Sequence, residues 1–275
     1  MTFRDSIPRD LPTHLSIESN VVGEEQVLGV RAVVGVDIQI ALGDIQRHPP
    51  RSVDGEIQGE MGGDHCRASG DMSRFGTISF YAGNATYSVR GRCNQDLATS
   101  PVLVSNNHVI ARSDAAPIGE AIWTPSLGNV ATLHQFLPIR CNSDIAFGLV
   151  TRWPDVQSCR IRTIGSFDPN ARPPRIGELI VKHGARTGYR TGRIEATGSI
   201  KVNGVWHDRI FRTSPGFGCS GDSGSAVIGP DRVLLGLFSW GEQRECEDDP
   251  RGWFFPLTTQ SLFDEAERCS AVILA

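Results

Sequence analysis

Gly218 to Gly229 reads GCSGDSGSAVIG, a small loop of glycine and serine around one acid, Asp222, that runs into an apolar stretch. A turn accounts for the glycines. It does not account for Ser223, set between Asp222 and Gly224 directly before a strand-like run. The chemistry open to such a serine is nucleophilic. A serine hydroxyl is a weak nucleophile at neutral pH, so it needs a base within hydrogen-bond reach, and the base needs an acid to orient it.

Seven histidines are available as the base. His14, His48 and His65 fall in the first part of the chain, which reads as an extension and connector. His134 in ATLHQF, His183 in VKHGAR and His207 in VWHDR read as exposed or strand-edge residues. His108 differs. In VLVSNNHVIA an apolar strand delivers it to a polar corner, and an apolar pair follows, which is how a scaffold holds an imidazole rigidly. The acid is Asp144, which stands immediately before the apolar run of CNSDIAFGLV. An acid at the mouth of a buried strand is costly unless a partner compensates it, and a histidine N–H is such a partner. Asp114, in the loop after His108, and Asp155, beside Pro154, are weaker candidates.

The elements that must position these residues are strands. VVGVDIQIAL alternates, with Val34, Val36, Ile38 and Ile40 on one face. GTISFYAG and ATYSVRG flank Gly83-Asn84, a hairpin turn signal. GELIVKHG, GRIEATGSIKVNGVWHDRIFRT and RVLLGLFSW continue the pattern, and 30 glycines and 16 prolines fit many turns. The fold class is all-β, a barrel or sandwich protein. Helical spacing is confined to TTQSLFDEAERCSAVI, where Leu262, Ala266 and Cys269 share a face.

Bulk properties narrow the class. The 275 residues are 39% hydrophobic and 21% charged, a globular composition, and the net charge of −4 offers no basic face for nucleic acid. Lys182 and Lys201 are the only lysines. The opening MTFRDSIPRDLPTHLSIES lacks the apolar core of a signal peptide, and no run reaches the length of a membrane helix, so the expected location is cytoplasmic. The seven cysteines form no CxxC pair, so neither a structural zinc nor any other metal or cofactor is expected, and free thiols are the reading for a reducing cytosol.

GDSGS, SNNHV and SDIAFGLV, in the order His, Asp, Ser, resemble the chymotrypsin-fold, trypsin-like serine peptidases over roughly residues 75–270, and most closely the bacterial and intracellular branch. The resemblance implies two antiparallel β-barrels with the active site between them. The organisation is then an extension and connector over 1–70, a first barrel over 71–168 with His108 and Asp144, a second over 169–257 with Ser223, and a C-terminal helix over 258–275. It implies an endopeptidase acting on a protein or peptide, with no membrane partner. The backbone N–H groups of Gly221 and Ser223 become an oxyanion hole, each such donor worth about 3 kcal/mol in the transition state. Ser239, Trp240 and Gly241 match the strand that pairs with the substrate backbone.

Phe217 stands at the specificity-pocket floor, where trypsin-type relatives carry an acid, and Gly241 and Gly252 match open pocket walls. These imply cleavage after small or medium apolar residues, unless an acid from the loop of Glu242, Glu245 and Glu247 folds inward. Relatives often bridge cysteines at the positions of Cys219 and Cys246; two free thiols are the alternative. Val109 replaces the cysteine that many relatives carry after the histidine. No activation sequence of the Ile-Val-Gly-Gly type is present, RAVVGV at Arg31 reading as a strand, so Asp222 needs another partner, as in bacterial relatives. Other activity classes remain: a pseudo-protease or binding scaffold without a formed oxyanion hole, and an esterase on the same three residues.

Overall fold

The computed structural model describes residues 59–82, 102–152, 156–202, 204–241, 246 and 251–257, and the backbone of 19–22 and 25–28. The last two stretches are a two-stranded hairpin, β1 (Ser19–Val22) with β2 (Glu25–Leu28). The strand expected at 33–42, the turn at Gly83-Asn84 and the helix at 258–275 lie outside the described residues.

The remaining strands form two sheets. The first holds β3 (Glu60–Gly62), β4 (His65–Ala68), β5 (Gly76–Thr77), β6 (Phe80–Ala82), β7 (Val102–Ser105), β8 (Ala121–Thr124), β9 (Gly128–Phe136), β10 (Ala146–Val150), β11 (Val156–Ile161) and β12 (Gly165–Ser166). Its order is β12-β11-β6-β7-β10-β9-β8-β4-β5, with β3 paired to β11. The second is a closed barrel of β13 (Leu179–Gly184), β14 (Gly188–Val202), β15 (Val205–Thr213), β18 (Gly252–Pro256), β17 (Leu234–Gly241) and β16 (Ala226–Ile228), in that order around the ring. The architecture is the expected two-unit all-β fold, with two differences. β3 and β4 fall in the stretch read as connector and belong to the first sheet. That sheet is also not wholly antiparallel, because β11 runs parallel to β3 and β6.

Burial explains the pairing. VLVS of β7 is buried at all four positions, as a strand covered on both faces must be. One core cluster crosses between the units, joining Phe80, Val102 and Val104 to Ala226, Leu234 and Leu237. The contact is also polar. Thr77 N donates to the Ser223 carbonyl at 2.7 Å, and Thr77 Oγ1 donates to the Gly221 carbonyl at 3.0 Å. A strand of the first sheet therefore holds the serine loop of the second.

Candidate active site

β7 and β10 are antiparallel, with Ser105 opposite Ala146. The end of β7 and the start of β10 therefore meet at one edge of the sheet. A one-turn helix, α1 (Asn107–Ile110), continues β7 and carries His108; Asp144 stands two residues before β10. His108 Nδ1 lies 2.6 Å from Asp144 Oδ2, and the His108 backbone N–H donates to Asp144 Oδ1 at 3.0 Å. The Asp144 side chain is fully buried. Its two oxygens grip the histidine by ring and backbone, which fixes the imidazole's position and directs Nε2 away from the acid. Asn106 braces the corner, donating to the Asp144 carbonyl at 2.6 Å and to Ser239 Oγ at 3.1 Å.

The weaker acid, Asp114, is used elsewhere: it accepts from Asn107 Nδ2 at 2.7 Å and from the Ile139 N–H, bracing the loop after α1. Asp155 lies outside the described residues.

Ser223 reaches the same cleft from the second unit. β16 begins three residues later and pairs with β17, and Gly224 N donates to the Phe238 carbonyl at 2.8 Å. Ser223 Oγ donates to the Ser239 carbonyl at 2.8 Å. Ser223 and His108 line the same cleft without a hydrogen bond between them; bonds between such groups commonly tighten only when substrate is bound. The N–H groups of Gly221 and Ser223 donate to nothing among the described residues. Gly221 has φ +99°, a conformation that a residue with a Cβ adopts only under strain.

Asp222, between them, points the other way, into the second barrel. Its carboxylate accepts from Lys182 Nζ (3.0 Å), Thr187 Oγ1 (2.7 Å) and the N–H groups of Arg186, Thr187 and Cys219. Both members of the ion pair are fully buried. Burial works to raise the Asp222 carboxyl's pKa, but Lys182 and the hydrogen bonds outweigh it and the net shift is downward. Burial pulls the Lys182 ammonium down to about 8, against the attraction of Asp222. Lys182 is thus the internal cation for the acid before Ser223, the partner that sequence reasoning required without naming.

The apolar floor differs in detail from expectation. Phe217 is fully buried in a core cluster with Phe238 and Phe254, outside the cleft. A Cβ on Gly252 would collide with Phe238 Cε2, and one on Gly218 would stand 2.9 Å from Phe238 Cζ. The Phe238 ring therefore closes against Gly252, one of the two expected walls, instead of leaving an opening there, and Gly218 lies against the same ring. The acids of the adjoining loop, Glu242, Glu245 and Glu247, lie outside the described residues. Cys219 and Cys246 form a disulfide, with Cα atoms 5.5 Å apart, and Cys159 is also disulfide-bonded.

Two histidines are placed differently from the strand-edge reading. His183 is half-buried, with Nδ1 2.9 Å from Thr163 Oγ1, and burial pulls its pKa down to about 4. His207 is fully buried, its ring 4.9 Å from Trp240 and 5.5 Å from Phe255, and burial lowers its pKa. Trp240 in turn stacks at 6.3 Å on His108. The neighbour of His207 in β15, Trp206, is the exposed one, at 52%. The Lys201 ammonium, 5.9 Å above its ring, stabilises that exposed indole.

The cleft over these groups has a volume of about 380 Å³. His108, Ser223 and Trp240 line it together with Phe75, Arg74 and Arg186. Apart from a few loop positions, none of this second group carried a motif.

No family profile matches the chain, and no curated protein sequence matches it. Solved structures do. The chain is similar to a Nocardiopsis protease, at 19% identity and a TM-score of 0.50, over 73% of this chain and 92% of that one. It is similar to Thermobifida fusca protease A at 16% identity and a TM-score of 0.52, over 77% and 96%. A Cellulomonas bogoriensis chymotrypsin aligns at 15% identity and 0.51, over 78% and 98%. Identities this low establish the fold: the chain has the two-barrel fold of bacterial chymotrypsin-like serine proteases.

Proposed function

We propose that the protein is a serine endopeptidase, with Ser223 as nucleophile, His108 as general base and then acid, and Asp144 as the group that orients the imidazole and stabilises its charged form. The observation that carries this is the double grip of Asp144 on His108 at the edge of the cleft that Ser223 enters. In this scheme Ser223 Oγ attacks the scissile carbonyl as His108 takes its proton. The oxyanion forms against the Gly221 and Ser223 N–H groups. His108 then protonates the leaving amine, and water repeats the sequence on the acyl-enzyme. Every step uses groups of the chain itself, with no metal or cofactor.

A fluorophosphonate probe tests this. The expected result is stoichiometric labelling of Ser223, absent in Ser223→Ala, together with hydrolysis of a protein substrate. Absence of labelling supports a binding scaffold; labelling with turnover of small esters but not peptides supports an esterase.

The reading of specificity sharpens to small apolar P1 residues. A charged side chain loses its water in an apolar pocket, and the charges beside Phe217 and Phe238, Lys182 and Asp222, are already paired with each other. The Phe238 ring also takes up the depth that a large side chain needs. A peptide library scanned at P1 is expected to favour alanine-sized residues over arginine by about a hundredfold. Phe238→Val is expected to shift the preference toward larger apolar residues. Dominant cleavage after arginine would count against this pocket.

The compartment reading moves away from the cytoplasm, because disulfides persist in oxidising surroundings. The expected observation is fewer than seven titratable thiols in denatured, unreduced protein, against all seven cysteines after reduction. Seven in both would restore the cytoplasmic expectation. No helix among the described residues is long and apolar enough to cross a membrane.

A further inference from the structure

Among the described residues, two arginines and no acid line the cleft. Arg186 is held there by its backbone. Its N–H donates to Asp222 Oδ1 at 3.1 Å, the next N–H, of Thr187, donates to the same oxygen at 3.0 Å, and the Ala185 N–H donates to Thr77 Oγ1 at 2.9 Å. The carboxylate that orders the oxyanion loop therefore also fixes the base of this side chain. A Cβ on Gly221 would lie 3.3 Å from Arg186 Cβ and 2.7 Å from Phe75 Cε2, so both side chains flank the oxyanion loop directly. The Arg186 guanidinium is exposed and makes no ion pair or hydrogen bond among the described residues. Arg74 is 79% exposed, with only a loose contact to Asp71 at 3.5 Å.

We infer that Arg186, assisted by Arg74, forms a subsite for an acidic side chain just C-terminal to the scissile bond, at P1′ or P2′. The inference rests on the peptidase reading above. In that reading the substrate residues before the scissile bond pair with Ser239–Gly241 of β17, at the Trp240 end. The carbonyl sits at the Gly221 and Ser223 N–H groups. The residues that follow leave past Gly221, whose flanks are Phe75 and Arg186. A guanidinium with a fixed base and no internal partner is suited to take a carboxylate bidentately. Phe75 supplies an apolar surface for the stem of the same side chain.

The test uses internally quenched peptides identical except at P1′ and P2′, which carry Glu, Gln or Lys, with a small ester lacking primed residues as a reference. The expected kcat/KM for Glu exceeds that for Gln by about tenfold, or about 1.4 kcal/mol. Lys is expected to be poorest, and the ratios should shrink as salt is raised. Arg186→Ala is expected to bring the Glu-to-Gln ratio to about unity, and Arg186→Glu to invert the order of Glu and Lys. Wild-type protein that turns over ester and peptides with equal Glu and Gln rates overturns the subsite alone. Wild-type protein that hydrolyses neither, and takes no phosphonate label, overturns the peptidase reading and the subsite with it. A Glu preference that survives in Arg186→Ala and Arg74→Ala together also overturns the assignment to these residues.

Discussion

Ser223→Ala is expected to abolish peptide hydrolysis and phosphonate labelling while leaving the thermal unfolding transition in place. The lost atom is a single hydroxyl oxygen whose recorded bond is to the Ser239 carbonyl at 2.8 Å, so little folding energy goes with it. The loss in kcat should be on the order of a millionfold, and His108→Ala should lose about as much, because the two act as one unit. Asp144→Asn should lose about ten-thousandfold, because an amide that keeps the contact to His108 favours the wrong imidazole tautomer. The double variant of Ser223 and His108 should be scarcely worse than either single one. Turnover within tenfold of wild type in any single variant would remove that residue from the mechanism.

Lys182→Met is expected to damage both stability and rate. It strands the Asp222 carboxylate at a fully buried site, and breaking one side of such a pair costs about 3–5 kcal/mol. The same carboxylate holds the Cys219, Arg186 and Thr187 N–H groups, so the oxyanion loop loses its anchor. One misplaced oxyanion donor is worth about a hundredfold or more in kcat. Chemical denaturation and single-turnover kinetics read the two effects separately. A folded Lys182→Met protein with wild-type kcat would show that the pair is structural only.

The pair also sets the pH behaviour. The Asp222 pKa is depressed, so its contribution to stability is present above the ordinary carboxyl value and is lost as pH falls through the lower folded value. Lys182 is depressed to about 8, below its unfolded value, so in that upper window the unfolded chain binds more protons. Stability from this group alone does not fall there, but the ion pair is lost. Activity should therefore decline reversibly above about pH 8 before the protein unfolds, and Lys182→Arg, charged throughout, should flatten that decline. An unchanged alkaline limb in Lys182→Arg would assign the decline to another group.

What the sequence by itself determined is local. The fold class follows from alternation and turn residues, which act within a few positions of one another. Ser223, His108 and Asp144 stand out for the same reason: each sits in a short polar break at the end of an apolar strand, and that pattern is complete without a partner in view. The tertiary structure decided everything that depends on which strands meet. Lys182 is one of two lysines in a strand-like stretch, and nothing near it in sequence shows that Asp222, 40 residues on, will close over it. Phe238 reads as an ordinary strand residue until Gly218 and Gly252 close on its ring. His207, which reads as an exposed or strand-edge residue, is buried because Trp240 of β17 and Phe255 of β18 close on its ring. Arg186 gains its position from Asp222 and Thr77, residues brought to it by the second barrel and the first sheet. Strand periodicity is written in short-range order, whereas a pocket's depth and a buried charge's partner arise from long-range packing, which a single chain of letters does not display.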